Sequence, residues 1–271
     1  MRIGSREFDT EHQTYIMGIL NVTPDSFSDG GKYNHLDAAL FHAEEMVRDG
    51  ADIIDVGGES TRPGFEKISD EEETERVAPV IEALTARLDV PVSVDTYKSR
   101  VAKAALSAGA SLINDIWGFK ADRNMAAVAA ETGAACCLMH NRERADYQDF
   151  LKDMIADLWE CVELARKAGV ADDRIILDPG VGVVFGKNYH LNLQTIAHLD
   201  EVRRMGFPVL LGTSRKSVIG TALDLPTDQR LEGTLVTTVY GVQQGCAFLR
   251  VHDVKENKRA VQMTKAIMEW R

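Results

Sequence analysis

The chain of 271 residues, 45% hydrophobic and 27% charged, is long enough for one large domain or two small ones and can bury a sizeable core. This composition excludes a disordered, collagen-like or disulfide-dense protein, and no apolar run approaches the roughly 20 residues of a membrane-spanning helix. A formal charge of −11, from 31 Lys and Arg against 42 Asp and Glu, opposes nucleic acid or an anionic membrane as the main partner, yet leaves room for a small anion at a local basic cluster.

Residues 1–14 read as a cap segment, expected as a small β structure over the bottom of a barrel formed by residues 15–271. The first nine residues contain no apolar export signal. From Tyr15 on, short apolar runs alternate with longer amphipathic stretches. The runs are Tyr15 to Leu20, Asp52 to Val56, Val92 to Asp95, Ser111 to Asp115, Ala135 to Met139, Arg174 to Asp178, Val209 to Thr213 and Ala247 to Val251. They are apolar throughout rather than at alternate positions, as in strands covered on both faces of a parallel sheet. Their spacing of about 33 residues accommodates a strand, a helix and two connections. Eight such units predict a (β/α)8 TIM barrel as a single domain of the α/β class, with a doubly wound open sheet as the alternative.

The stretches between them predict helices. Leu36, Ala39, Leu40, Ala43 and Val47 share one helix face, and Gly50 is placed to end that helix. The acidic run Asp70 to Glu73 reads as a solvated first turn, where carboxylates meet the positive end of a helix dipole. Val254, Val261 and Met268, beside Ala260 and Ile267, mark the buried face of the last helix and leave Lys255, Glu256 and Lys258 to solvent. Cys136, Cys137, Cys161 and Cys246 include no Cys-x-x-Cys spacing and read as buried thiols, so a reducing cytoplasm is the expected compartment. Adjacent Cys136 and Cys137 point to opposite faces of a strand.

In such a barrel the C-terminal ends of the strands converge on one mouth. Those ends carry Asn21, the loop Glu59-Ser60-Thr61-Arg62, Asp95, Asn114 with Asp115, Met139 with His140, Asp178, Lys216 with Ser217, and Arg250 with His252. A lone Asp or Asn at such a position is more often a helix cap than a ligand contact. Three directly after apolar strands are another matter, since buried carboxylates need donors or cations. A planar heterocycle with amino and ring N–H groups would satisfy Asp95, Asn114 and Asp178. Arg62, Lys216, Arg250 and His252 have the opposite character and suit a phosphate or diphosphate, aided by the helix start after Thr213-Ser214-Arg215-Lys216-Ser217. His12, His35, His42, His190 and His198 lie away from the mouth and read as surface or capping residues, while His140 is open between lining the site and structural bonding.

Seven ordered segments carry a resemblance: Asn21-Val-Thr-Pro-Asp-Ser-Phe-Ser-Asp-Gly-Gly31, Asp55-Val-Gly-Gly-Glu-Ser-Thr-Arg-Pro-Gly64, Val94-Asp95-Thr96, Ile113-Asn114-Asp115, Asp178-Pro-Gly180, Ser214-Arg-Lys-Ser217 and Arg250-Val-His-Asp253. In these the chain resembles the dihydropteroate synthases, from about residue 14 onward. The resemblance implies condensation of 7,8-dihydropterin-6-ylmethyl diphosphate with p-aminobenzoate to give 7,8-dihydropteroate and pyrophosphate, the sulfonamide-targeted step of folate biosynthesis. It implies that Asp95, Asn114, Asp178 and Lys216 hold the pterin, with Met139 and Arg250 against its faces. Asn21, Arg250 and His252 would take the diphosphate, with Asn21 also contacting Mg2+. Thr61 and Arg62 would stand near the reacting centre, Ser217 and Phe185 at the p-aminobenzoate pocket, and Asp95, Lys216, Arg62 and Asn21 would carry catalysis. A homodimer through helices late in the chain is implied as well.

One segment departs from the family pattern. Val183 and Val184 precede Phe185-Gly186-Lys187, which lengthens this loop by two residues and leaves the p-aminobenzoate side open to reshaping. Two rival readings are a corrinoid-dependent methyltransferase with a similar pterin pocket and a catalytically idle pterin-binding paralogue. The segments Ser214–Ser217 and Arg250–Asp253 speak against the first, and Asn21, Thr61, Arg62 and His252, which a pterin ring alone does not need, against the second.

Overall fold

The computed structural model describes residues 1–23, 32–59, 67–182 and 186–270, so the expected site residues Thr61, Arg62 and Phe185, and the extra Val183 and Val184, lie outside the described residues. A short antiparallel hairpin, β1 (Arg2–Ile3) and β2 (Arg6–Glu7), precedes β3 (Tyr15–Asn21). There follow α1 (Lys32–Arg48), β4 (Ile53–Gly57), α2 (Asp70–Arg87), β5 (Val92–Asp95), α3 (Ser99–Ser107), β6 (Leu112–Asp115), α4 (Met125–Thr132), β7 (Ala135–Met139) and α5 (Phe150–Ala168). The chain ends with β8 (Ile175–Asp178), α6 (Tyr189–Ala197), α7 (Leu199–Arg203), β9 (Leu210–Leu211), α8 (Ser217–Leu223), α9 (Leu231–Gln243), β10 (Phe248–Val251) and α10 (Val254–Met268).

Strands β3 to β10 pair in parallel in the order β8-β7-β6-β5-β4-β3-β10-β9, and a parallel bridge from Leu177 to Val209 joins the two ends. The sheet therefore closes into the expected (β/α)8 barrel. The run at 209–213 contributes only Leu210–Leu211 as a strand. Pro208 has no N–H to give to a ladder, and Thr213 leaves the sheet to exchange a 2.7 Å hydroxyl hydrogen bond with Thr237.

Alternation along the strands separates two cores. Ile16, Leu20, Ile54, Val56, Val94, Ile113 and Leu177 face outward under the helices, and each contributes about 1.5–3 kcal/mol by burial. Met17, Ile53, Leu112, Ala135, Ile176, Leu210 and Phe248 point inward and fill the lower barrel. Ile3 and Phe8 of the N-terminal segment join this inner layer, with the Phe8 ring edge-on to Tyr15 at 4.8 Å. Cys136 lies in the outer core and Cys137 in the inner one, both as free thiols, in agreement with their opposite strand faces.

Helix α1 buries Ala39, Leu40 and Ala43 as expected, and Gly50 follows it at φ +107°. Two helix readings change. Glu73 is not solvated: α2 turns it into the protein, where it pairs with Lys98 at 2.7 Å. In α10 the buried stripe is Val254, Asn257, Val261 and Thr264, while Ile267 is exposed and Ala260 half-buried. Asn257 occupies the stripe because its polar atoms are matched, accepting from the Thr238 hydroxyl at 2.6 Å and donating to the Asp253 carbonyl at 2.7 Å. Lys258, expected in solvent, reaches Asp52 at 2.9 Å, and that carboxylate also binds Arg6 and the Ile16 N–H.

Candidate active site

The inward parity that places Met17, Ile53, Leu112 and Ile176 in the floor places polar residues two and four positions later. From β4 come Asp55 and Gly57, from β5 Ser93 and Asp95, from β6 Asn114, from β8 Asp178 and from β10 Arg250. Register brings them level, with Asn21 beside Gly57, Gly57 beside Asp95 and Asp95 beside Asn114, while Met139 stands beside Asp178. A ring of carboxylates, an amide and cations thus crowns a dry floor.

Arg250 spans this ring. Its Nε donates to Asp55 Oδ2 at 2.6 Å and its Nη2 to Asp95 Oδ2 at 2.6 Å. Asn114 Nδ2 donates to the same Asp55 oxygen at 3.0 Å, so the Asn114 side-chain oxygen is oriented away from Asp55. Asp55 is fully buried, and its Oδ1 has no partner among the described residues. In the sequence Asp55 stands inside the apolar run Asp52 to Val56 and opens the segment Asp55 to Gly64, with no role of its own assigned. Its signal was parity, since it lies at an inward position midway along an apolar strand.

Asp178 Oδ1 accepts the Gly180 N–H at 2.7 Å. Lys216 Nζ lies 2.5 Å from the Val181 carbonyl, on the Asp178 side of the mouth. A Cβ on Gly212 would stand 3.6 Å from Lys216 Nζ and 3.9 Å from Asp178 Oδ2, at ordinary contact distance, so the β9 end borders both groups. Burial drives the protonation states. It lifts the Asp95 carboxyl to about 7 against the opposing pull of Arg250, lifts Asp178 against Lys216, and lowers the Lys216 ammonium to about 8. These carboxyls bind donors more strongly than water-exposed ones would, because the low-dielectric floor cannot solvate them.

Pairs between neighbouring loops arrange the rim. His252 bonds Ser214 through its backbone N–H and its ring Nδ1, both at 3.1 Å. Arg215, at φ +57°, turns aside to Asp253 at 2.9 Å, tying the loops after β9 and β10 together. Ser217 is exposed at the first turn of α8. Glu59, just before residues 60–66, accepts from Lys98 at 2.7 Å, from the Tyr97 hydroxyl at 2.8 Å and from the Ile68 N–H at 3.0 Å. Lys98 also donates to the Ile68 carbonyl at 2.8 Å, so Glu59 and Ile68 are both tied to the loop after β5.

Two strand-end residues take structural roles. Asp115 faces outward and accepts the Trp117 and Phe119 N–H groups, both at 2.8 Å. His140 is buried against Asp157 at 2.9 Å, and burial lowers its pKa to about 4, which makes it a neutral bonding group. Asn21, Asp95, Asn114, Met139, Asp178, Lys216 and Arg250 are therefore gathered at the mouth, and Ser217 and His252 stand at its rim. No three His, Cys, Asp or Glu side chains among the described residues form a metal-ligand cluster.

Comparisons with known proteins agree with this architecture. The family described as "Pterin binding enzyme" matches residues 17–252. The dihydropteroate synthase of Clostridium beijerinckii is 57% identical over 269 residues, covering 99% of each chain, and that of Bacillus subtilis is 57% identical over 258 residues, covering 95% of this chain and 90% of its own. The Clostridium difficile dihydropteroate synthase, solved in the presence of pteroic acid, superposes with a TM-score of 0.93 at 50% identity, covering 96% of this chain and 99% of its own. The Xanthomonas albilineans enzyme with 4-aminobenzoic acid gives 0.90 at 40% identity, covering 94% and 93%. With that family spanning the barrel and relatives at such identity over nearly its whole length, this chain belongs to the dihydropteroate synthases.

Proposed function

We propose that the chain condenses 7,8-dihydropterin-6-ylmethyl diphosphate with p-aminobenzoate, releasing pyrophosphate and forming 7,8-dihydropteroate. The observation that carries this reading is the ring of Asp55, Asp95, Asn114 and Asp178 with Lys216 and Arg250 above an apolar floor. It offers acceptors to the amino and N–H edge of a pterin and cations toward its carbonyl. Met139 and the Arg250 guanidinium would lie against the ring faces.

In the proposed reaction the nitrogen lone pair of p-aminobenzoate forms a bond to the methylene carbon as the carbon–oxygen bond breaks. That bonding pair leaves with pyrophosphate, and the amine loses a proton afterwards. Positive character grows on the methylene, and Asp95 and Asp178 stabilise it without moving, as pre-oriented charge does in a site shielded from water. No side-chain nucleophile is required. Asn21, Arg62, Arg250 and His252 are assigned to the diphosphate, Thr61 to the reacting centre, and Ser217 with Phe185 to the p-aminobenzoate pocket.

Mg2+ is proposed as the cofactor. A single Asn21 side-chain oxygen suits an ion whose other ligands are diphosphate oxygens and water, whereas the described residues offer no complete protein cage. Bound there, the ion would neutralise charge on the leaving group.

The proposal extends to a single barrel domain, residues 15–271, capped by residues 1–14, and to a cytoplasmic homodimer. Support for the dimer is the exposed apolar set Val236, Met263, Ile267 and Trp270 on and after α9 and α10, with Trp270 91% accessible. No helix among the described residues is long and apolar enough to cross a membrane. The Yersinia pestis relative was solved with a sulfonamide drug, and sulfonamide inhibition is proposed here by analogy.

The test is pyrophosphate release by the purified chain. Release is expected only with both substrates and in one-to-one yield with 7,8-dihydropteroate. Equal release without p-aminobenzoate, or none with both present, would overturn the proposal.

A further inference from the structure

The loop after β8 is held by two ammonium groups on three consecutive carbonyls. Lys187 Nζ donates to the Pro179 carbonyl and, at 2.9 Å, to the Gly180 carbonyl, while Lys216 Nζ takes the next one, Val181, at 2.5 Å. The following peptide N–H, of Gly182, is held by Asn192 Oδ1 at 2.8 Å. Lys187 is far from ordinary for a lysine. No carboxylate among the described residues pairs with it, its ammonium stands 5.7 Å from the Phe150 ring centre, and burial lowers its pKa to about 7. The acids that act on it electrostatically are engaged elsewhere: Asp157 by His140 and Arg142, and Asp178 by the Gly180 N–H.

The turn that Lys187 grips has little freedom elsewhere. Gly180 sits at φ +69°, and a Cβ there would lie 2.2 Å from the His140 carbonyl oxygen, so the backbone is pressed against the loop after β7. Its N–H is the group that holds Asp178 Oδ1. Withdrawing Lys187 would take from two buried carbonyls their only partner among the described residues, and the turn would have to rotate to find water.

We propose that Lys187 is a positioning residue for the pterin subsite: by binding the Pro179 and Gly180 carbonyls it fixes the turn whose N–H orients Asp178, and it leaves Lys216 a single carbonyl to release when the heterocycle arrives. This inference rests on the condensation proposed above. It assigns Lys187 to the pterin side, although Lys187 follows immediately on the segment expected at the p-aminobenzoate pocket.

Lys187→Met keeps chain length and removes the donors. Equilibrium binding of dihydropterin diphosphate without p-aminobenzoate, and steady-state constants for each substrate, should be measured for wild type, Lys187→Met and Lys187→Arg. The expected result for Lys187→Met is at least a tenfold rise in the dihydropterin Kd and KM with the p-aminobenzoate KM within threefold, and partial recovery in Lys187→Arg. A rise confined to the p-aminobenzoate KM, or a loss of kcat with both KM values unchanged, would overturn the proposal. Should Lys187→Met fail to fold, Lys187→Gln decides, because its shorter amide cannot reach both carbonyls as the ammonium does, and an unchanged dihydropterin Kd would again overturn the proposal. A wild-type chain that neither binds dihydropterin diphosphate nor turns it over would instead refute the underlying function.

Discussion

Replacing Asp95 by Asn separates what the carboxylate does for catalysis from what it costs the fold. Asparagine keeps an oxygen for Arg250, which now donates to Asp95 Oδ2 at 2.6 Å, and removes the charge. Burial raises the Asp95 carboxyl from 3.8 to about 7, so in the wild type the folded state resists its ionisation while the unfolded state does not. The sign follows: this group disfavours folding increasingly as pH climbs from about 4 to about 7 and by a constant amount above that. Between pH 5 and pH 8 the wild type should lose roughly 2–3 kcal/mol that the variant keeps, at about 1.4 kcal/mol per pH unit. In a protein of this size that corresponds to a gap in Tm that moves in the variant's favour by roughly 4–10 °C. Turnover should move the other way. Losing one pre-oriented charge beside the developing cation costs about 10²–10³-fold in kcat/KM. Thermal unfolding at pH 5 and pH 8, with pyrophosphate release at pH 8, reads both. A kcat/KM within tenfold of wild type, or a Tm gap that stays constant across that pH range, would refute the reasoning.

Asp55→Ala should destabilise the chain by about 1–3 kcal/mol in urea unfolding, because it leaves the Arg250 guanidinium with Asp95 alone and the Asn114 amide without its acceptor in the barrel. A loss under 1 kcal/mol would contradict the network. Lys98→Met should destabilise by about 3–5 kcal/mol at pH 8, since it leaves Glu59 and Glu73 facing each other in the interior. That loss should shrink at pH 5, because burial already raises the Glu73 carboxyl and protonation then removes the repulsion. Chelation of Mg2+ by EDTA should abolish turnover and added Mg2+ should restore it. The Tm of the ligand-free protein should stay unchanged, because the described residues contain no complete cage.

The barrel was legible because burial on both faces makes each strand a continuous apolar run, and eight of these at a regular spacing admit few topologies. The strand ends were legible for a related reason, since a charged or amide residue just after such a run has few other places to go. Asp55 was hidden within its run. Only once inward and outward positions are assigned does it stand beside Asp95 and Asn114. Glu73 and Lys258 were misread because local rules, a helix dipole and a polar helix face, say nothing about partners 25 or more residues away. Lys98 and Asp52 supply those partners. Asn257 was passed over for Ala260 and Ile267 because hydropathy cannot register a buried amide whose hydrogen bonds are met across two helices. Lys187 likewise gives no periodic signal, and its role depends on where two backbone carbonyls happen to turn.

The central claim is that the ring at the barrel mouth, with Lys216 at its Asp178 side, performs the condensation. Lys216→Ala, confirmed as folded by its circular dichroism and a cooperative thermal transition, should show no measurable pyrophosphate release with both substrates present. Near-normal release by that folded variant would contradict the account.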